Sequence, residues 1–247
     1  MTDKLPSGWV RSTLGECFSW GSGGTPLSSE PRFYGGEIPW LIIGDLNDGV
    51  VATSSVYITE DGLRNSSAKW IEPGSVLLAM YGSIGKVAIA GVPLTTNQAI
   101  AFAKTDPIVS RYLFYYLKFK QRDLESLGKG ATQKNISQTV IRSFPFIVAP
   151  LPEQRRIVAK IEELFSDLDA GVAALERVKA TLAKYKASVL KAAVEGRLTE
   201  EWREEHPDVE PASVLLERIL KERRAKWEEE QLAKYEAKGQ KPPNGWR

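Results

Sequence analysis

Two glycine-bearing segments could close on an anion: GSGGTP at 21–26 and YGSIGKVAI at 81–89. Glycines let neighbouring backbone amides turn toward a phosphate, and Lys86 beside Gly85 could add a charge. A Walker phosphate loop needs another glycine five residues before Gly85 and a hydroxyl after the lysine. Met80 and Val87 stand at those places, and GSGGTP has no Gly-Lys-Ser/Thr ending. Neither segment is a nucleotide-hydrolase loop, which leaves two readings open: structural turns beside strands, or loops that approach DNA. KGATQKNIS at 129–137 sets Lys129 and Lys134 around Thr132, Gln133 and Asn135, and TTNQAI at 95–100 offers Asn97 and Gln98. Lysines and backbone amides serve phosphates, while Asn and Gln can make paired hydrogen bonds to adenine. Taken alone, each of these loops is equally the ordinary polar surface of a globular protein.

Other chemistry finds no residues to carry it. Cys17 is the only cysteine and His206 the only histidine, so one chain can assemble neither a disulfide framework nor a Cys/His zinc site. A Ser-His-Asp triad would need His206, which lies in the very polar EEWREEHPDVEP and is read as a solvated loop residue. Cys17, beside Phe18, is read as a small core residue, because free cysteine behaves as a buried apolar group. No Rossmann glycine fingerprint or metal-ligand spacing is present. The closing KPPNGWR has the Pro-Pro-aromatic order of an amino-methyltransferase motif, but lacks the Asp or Asn before the prolines. The expectation is a chain without catalytic residues, metal or cofactor of its own.

The net charge of +2 is too small for a general nucleic-acid coat. Between 111 and 142, however, seven Lys or Arg face two acids. If five of these met phosphates, the salt exponent of affinity would be roughly −4.5. An ordinary solvated helix face is the alternative. No run of about 18 apolar residues could span a membrane, and the polar start MTDKLPSGW lacks a signal peptide's apolar core. A cytoplasmic protein with no membrane partner is expected.

These segments belong to two stretches of different composition. Residues 1–150 are rich in Gly, Pro, Trp and short β-branched runs, and the rest in Ala, Glu, Lys, Leu and Arg. SVLLAMYG, GKVAIAG and NQAIAFAK read as strands, and SRYLFYYLKFKQRDLESL at 110–127 as one amphipathic helix. The fold class predicted is α+β: a mixed α/β globular domain at 1–150, a long coiled-coil helix at 151–196, and a linker with a shorter helix at 197–247. Pro152 and Glu153 suit the first turn of the long helix. Alternating steps of four and three then link Ile157, Ile161, Leu164, Leu168, Gly171, Leu175, Val178, Leu182, Tyr185 and Val189. Nine of these ten are apolar, a coiled-coil seam with one defect at Gly171. Each large seam residue contributes about 1.5–3 kcal/mol when buried, so the helix needs a partner. Pairing with another long helix is expected, with the shorter helix, 212–237, packed alongside.

The quoted segments together resemble a known family. LPSGWVRSTLGE at 5–16, GGTP at 23–26, PGSVLLAMYGSIGKVAIA at 73–90, NQAI at 97–100, GATQKNIS at 130–137, PLPEQRRIVAKIEELFSDLD at 150–169 and SVLKAAVEGRLTEEWR at 188–203 are similar, in order, to the specificity (S) subunit of type I restriction-modification systems. The resemblance implies a non-catalytic subunit that reads a split site on double-stranded DNA. Such subunits carry two target-recognition domains, each followed by a conserved helix, and the helices pair antiparallel. They dock methyltransferase (M) subunits, which use S-adenosylmethionine, and restriction (R) subunits, which use ATP. Only one recognition domain and one such helix are present here, and the chain closes on a phrase like the one that should open a second domain. The expectation is therefore a half-sized S subunit whose missing half is a second copy. The matching motifs suggest DNA contacts by Thr25, Tyr81, Ser83, Lys86, Asn97, Gln98, Lys129, Thr132, Gln133 and Lys134, with lysines on phosphates and amides or hydroxyls nearer base edges. The competing class is an oligomeric coiled-coil scaffold that reads no DNA.

Overall fold

The computed structural model of the chain describes residues 5–130, 134–243 and 245–246. They divide into two compact units, Met1–Ala170 and Gly171–Arg247. The first is an α+β unit. Its strands are β1 (Val10–Thr13), β2 (Trp20–Ser22), β3 (Tyr34–Leu41), β4 (Val50–Val51), β5 (Tyr57–Ile58), β6 (Val76–Ala79), β7 (Val87–Ala90), β8 (Thr95–Thr96), β9 (Ile100–Ala103) and β10 (Pro145–Val148). The helices of the chain are α1 (Leu14–Cys17), α2 (Glu60–Arg64), α3 (Pro107–Phe119), α4 (Gln121–Ser126), α5 (Gln138–Ser143), α6 (Leu151–Val194), α7 (Glu200–Glu205) and α8 (Ala212–Ala237).

A five-stranded sheet in the order β2-β9-β6-β7-β4 forms the centre of the first unit. Every residue of β6 and β7 is buried, because the sheet is covered on both faces. Val76, Leu78, Val87 and Ile89 join the cluster that includes Leu113 and Leu117 of α3. Their alternates Leu77, Ala79, Ala88 and Ala90 join a second cluster with Leu41, Leu46 and Leu94. A three-stranded sheet, β5-β3-β8, and the antiparallel pair β1-β10 complete the unit.

The single helix expected at 110–127 is two. Asp106 caps the start of α3 through Ile108 N, and Lys120, at φ −90° and ψ 9°, separates α3 from α4. The apolar period survives the break: Leu113, Leu117 and Leu124 are fully buried, whereas Leu127 is exposed. Tyr112 and Tyr116 tie α3 to β10, donating to the carbonyls of Ile147 and Pro145 at 3.0 Å each. Burial, with Tyr116 and Glu153 nearby, pushes the Tyr112 phenol up to about 12. Cys17 is exposed, contrary to the core position expected of it, because its neighbour Phe18 takes the core place. Its thiol instead donates to Ser12 Oγ at 3.4 Å.

The long helix runs as expected from the proline-rich junction, with Glu153 in its first turn. Its first turns pack on the α+β unit. Val158 is buried, Gln154 Nε2 donates to the Ala149 carbonyl at 2.8 Å, and Trp9 Nε1 donates to Glu153 at 2.8 Å. Ile157 is half-buried against the same core. From Leu164 onward the seam is open, with Leu168, Leu175 and Leu182 each at least 60% exposed.

In the second unit, Gly196 takes φ 74° and a 3-10 turn at Arg197–Thr199 leads into α7. His206 is exposed and stacks on Trp202 at 4.7 Å. The shorter helix forms where predicted, but it does not cover the seam: Val214, Leu215, Leu216, Ile219, Leu220 and Trp227 remain exposed. The two Pro-x-Gly-Trp phrases are held differently. Trp9 bonds Glu153, whereas the Trp246 ring lies 6.1 Å from those of Trp227 and Tyr235. Among the described residues no helix is long and apolar enough to cross a membrane.

Candidate nucleic-acid interface

Strand register decides which loops share a surface. β6 and β9 run antiparallel with Ala79 opposite Ile100, β2 and β9 pair Ser22 with Ala101, and β6 and β7 pair Leu78 with Val87. The end of β6, the start of β7, the start of β9 and the end of β2 therefore lie along one rim of the central sheet. The candidates Thr25, Tyr81, Ser83, Lys86, Asn97 and Gln98 all sit on the segments that leave or enter these strand ends. Sequence separations of up to about seventy residues collapse at this rim.

Backbone hydrogen bonds bring the 129–135 loop to the same place. Ile136 N donates to the Met80 carbonyl at 2.9 Å and Gly82 N to that of Lys134 at 3.1 Å. Lys129 and Asn135 exchange both backbone bonds, at 3.0 and 2.9 Å, and Tyr81 bridges Asn135. Met80 N in turn donates to Ala99 at 2.8 Å, so the two halves of the rim are stitched together. Thr132 and Gln133 lie outside the described residues.

The glycines of GSGGTP serve packing. Gly23 and Gly24 are buried, and a Cβ on Gly23 would stand 2.0 Å from the Thr96 carbonyl oxygen. One on Gly24 would stand 2.2 Å from Ser67 Oγ. Trp40 Nε1 donates to the Gly24 carbonyl at 2.9 Å and Tyr34 Oη to that of Pro26 at 2.7 Å, which fixes the loop. This close packing carries Thr25 to the 97–98 turn, where its hydroxyl donates to Gln98 Oε1. Gly82 and Gly85 take φ 61° and 83°, a conformation that favours glycine, so the β6-β7 turn also needs them structurally.

Exposure sorts the candidates. Thr25, Tyr81, Ser83, Gln98, Lys129 and Lys134 are exposed, and Lys86 and Asn97 half-buried. Asn97 is largely committed to its own turn, its Oδ1 accepting from Ala99 N at 3.1 Å. Asn135, named in the loop but not among the chosen contacts, is exposed at the junction of Tyr81 and Lys129. Its type marks it in the sequence as an amide that could meet a base, and the bridges to Tyr81 and Lys129 give it its place on the rim.

The basic stretch at 111–142 is not one cationic face. Arg111 pairs with Glu162 and Lys120 with Asp123, Lys118 donates to the Asp48 carbonyl, and Arg142 donates to that of Trp20. Among the described residues no carboxylate pairs with Lys129 or Lys134. The rim thus presents two free ammonium groups beside exposed hydroxyls and an amide, a set suited to phosphates and base edges. No three His, Cys, Asp or Glu among the described residues come together as a metal-ligand set.

Known proteins are similar to this chain in sequence and in fold. The specificity subunit of the type I restriction enzyme MjaIX of Methanocaldococcus jannaschii is 30% identical over 171 residues, covering 67% of this chain and 39% of that protein. That of EcoR124I/EcoR124II from Escherichia coli is 32% identical over 171 residues, covering 65% and 42%. The crystal structure of the HsdS subunit from Thermoanaerobacter tengcongensis aligns with TM-score 0.58 at 25% identity, over 78% of this chain and 46% of that one. The chain therefore spans less than half the length of the relatives it matches. Residues 6–177 match the family model for the type I restriction modification DNA specificity domain. On that match, and on the fold that carries it, the chain belongs to this family of DNA specificity domains.

Proposed function

We propose that the chain is a sequence-reading subunit of a type I restriction-modification complex, in which its α+β unit reads one half of a two-part site on double-stranded DNA. A second copy, paired through α6, reads the other half. The observation that carries this reading is the convergence of eight motif residues, from four separate loops, on one rim of the central sheet. In this reading Lys129, Lys134 and Lys86 meet phosphates, and Thr25, Tyr81, Ser83, Asn97, Gln98, Thr132 and Gln133 work nearer the bases.

The chain contributes recognition and no catalysis. Methyltransferase subunits dock on it and bring S-adenosylmethionine, and restriction subunits bring ATP. The open seam from Leu164 to Val189 supports the pairing of copies, since a stripe of exposed leucines and valines is a surface that another helix must cover. Two identical halves related by a two-fold axis would read a split palindrome.

Lys129 and Lys134 give the sharpest test of the DNA contact. The double replacement Lys129→Ala, Lys134→Ala is expected to weaken binding to all duplexes alike and to flatten the salt slope by up to about 2 units. Titrations of labelled duplex across a salt series read both quantities. An unchanged slope removes these lysines from the interface. Retention of no duplex by the unaltered chain, even with methyltransferase subunits present, would favour a coiled-coil scaffold instead.

A further inference from the structure

A second cationic segment adjoins the rim at the end opposite Lys129 and Lys134. It is RNSSAKW at 64–70, the loop that follows α2, and its backbone is held in place. Asn65 ends the helix, its Nδ2 donating to the Asp61 carbonyl at 2.8 Å, and Ser66 Oγ accepts from Ala68 N at 3.2 Å. Ala68 and Ile71 are buried, while Arg64, Ser67 and Lys69 are exposed.

Hydrogen bonds along 94–96 decide where this loop lies. Residues two apart on an extended segment bond toward the same side. Leu94 exchanges both backbone bonds with Ile71, at 2.8 and 3.2 Å, and the Thr96 carbonyl accepts from Gly24 N at 2.9 Å. Ile71 and Gly24 therefore share one edge. Ser67 and Ala68 press against Gly24 directly, since a Cβ there would stand 2.3 Å from the Ser67 carbonyl carbon and 2.4 Å from Ala68 N. The loop is thus the next neighbour of the 23–25 segment, beyond Thr25 and Gln98.

Charge sets this loop apart from the basic stretch at 111–142. Among the described residues neither Arg64 nor Lys69 pairs with a carboxylate. Glu72 is taken by Lys104, and Glu60 and Asp61 occupy the first turn of α2 whereas Arg64 stands in its last. The rim therefore runs between two pairs of cations, with the uncharged polar side chains of Ser83, Gln98 and Thr25 between them.

The span between these pairs selects a groove. Neighbouring strands lie about 4.8 Å apart, so the two steps from β6 through β9 to β2 cover about 10 Å, and the approach of Gly24 to Ser67 adds about 5 Å. A span of about 15 Å is far wider than a minor groove of about 6 Å and reaches across a major groove of about 12 Å.

We propose that Arg64 and Lys69 bind phosphates of one DNA strand while Lys129 and Lys134 bind those of the other, so that the rim straddles the major groove of a half-site. This rests on the DNA reading proposed above and adds two contact residues and the groove.

Salt titrations of the full chain with methyltransferase subunits test it, on a duplex recovered by selection from random sequences. Arg64→Ala with Lys69→Ala should flatten the salt slope by about 2 units per bound copy, and adding Lys129→Ala and Lys134→Ala should bring the change to about 4. Arg64→Lys with Lys69→Arg should keep the parent slope. Single methylphosphonate linkages, each removing one phosphate charge, then assign the strands. Within one half-site, each alanine pair should become indifferent to neutral linkages on one strand only, and the two pairs on opposite strands. An unchanged slope for the Arg64 and Lys69 alanine pair, a slope lost equally in the charge-conserving pair, or indifference of both alanine pairs on the same strand would overturn the proposal and leave DNA reading intact. Retention of no duplex by the parent would remove both.

Discussion

Gly23→Ala is expected to lower the stability of the α+β unit by about 3 kcal/mol, at the upper end of overpacking costs. In a chain of this size that is a fall in Tm of roughly 6–12 °C. The added methyl would stand 2.0 Å from the Thr96 carbonyl oxygen and 2.2 Å from its hydroxyl, and neither can move freely, because both Thr96 and its partner Leu41 are buried in the β3-β8 pair. The loss should reach the candidate DNA-facing rim as well. The 23–25 segment must withdraw from the 96–98 turn, which separates Thr25 from Gln98 and spoils one part of the rim. Gly44→Ala is the control, since its Cβ would meet only Ile42 Cδ1 at 4.0 Å. Thermal unfolding of the two variants checks the contrast; equal melting temperatures would mean that Gly23 is not held as closely as the geometry requires.

Leu175→Asp is expected to leave the chain folded and to abolish the pairing of copies. Leu175 is 70% exposed in the single chain, so its own fold loses nothing by the change. In the pair, two leucine side chains go unburied, at about 1.5–3 kcal/mol each, and two carboxylates face an apolar seam. Together this is a loss of at least about 3–6 kcal/mol, a rise in dimer Kd of roughly 10²–10⁴-fold. Sedimentation equilibrium reads the Kd, and an unchanged helical circular dichroism signal separates dissociation from unfolding. A variant that still pairs like the parent would take α6 out of the interface.

Much of the architecture is written in short-range pattern. The alternation of β6 and β7 appears as continuous apolar runs because both faces of that sheet are covered, and the runs could be recognised as strands from their length and bounding turns. The helix α6 was equally legible, since a period of four and three sustained over more than four heptads marks a continuous helix with one apolar stripe. The break at Lys120 escaped, because Leu113, Leu117 and Leu124 keep a helical period across it. Cys17 was misplaced for a similar reason: which of two adjacent apolar side chains turns inward depends on the capped turn of α1, where Thr13 and Glu16 cap each other's backbone.

The candidate rim could be chosen by residue chemistry but not assembled as geometry. Thr25, Tyr81, Gln98 and Lys134 are named by their types and by the motifs around them, yet their meeting depends on the order β2-β9-β6-β7-β4. That order is set by long-range packing, which periodicity does not encode. The basic stretch shows the converse. Its seven cations look like one patch in sequence, but Arg111, Lys118, Lys120 and Arg142 are drawn to partners by the turns of α3, α4 and α5.

The central claim is that two copies of the chain read one DNA site in two separated halves. Selection of bound sequences from a pool of random duplexes, with the full chain and methyltransferase subunits present, tests it most directly. The account predicts enrichment of a palindrome whose two halves are identical in sequence and separated by an unspecified spacer of fixed length. Enrichment of a single unsplit site, or of no sequence at all, would contradict it.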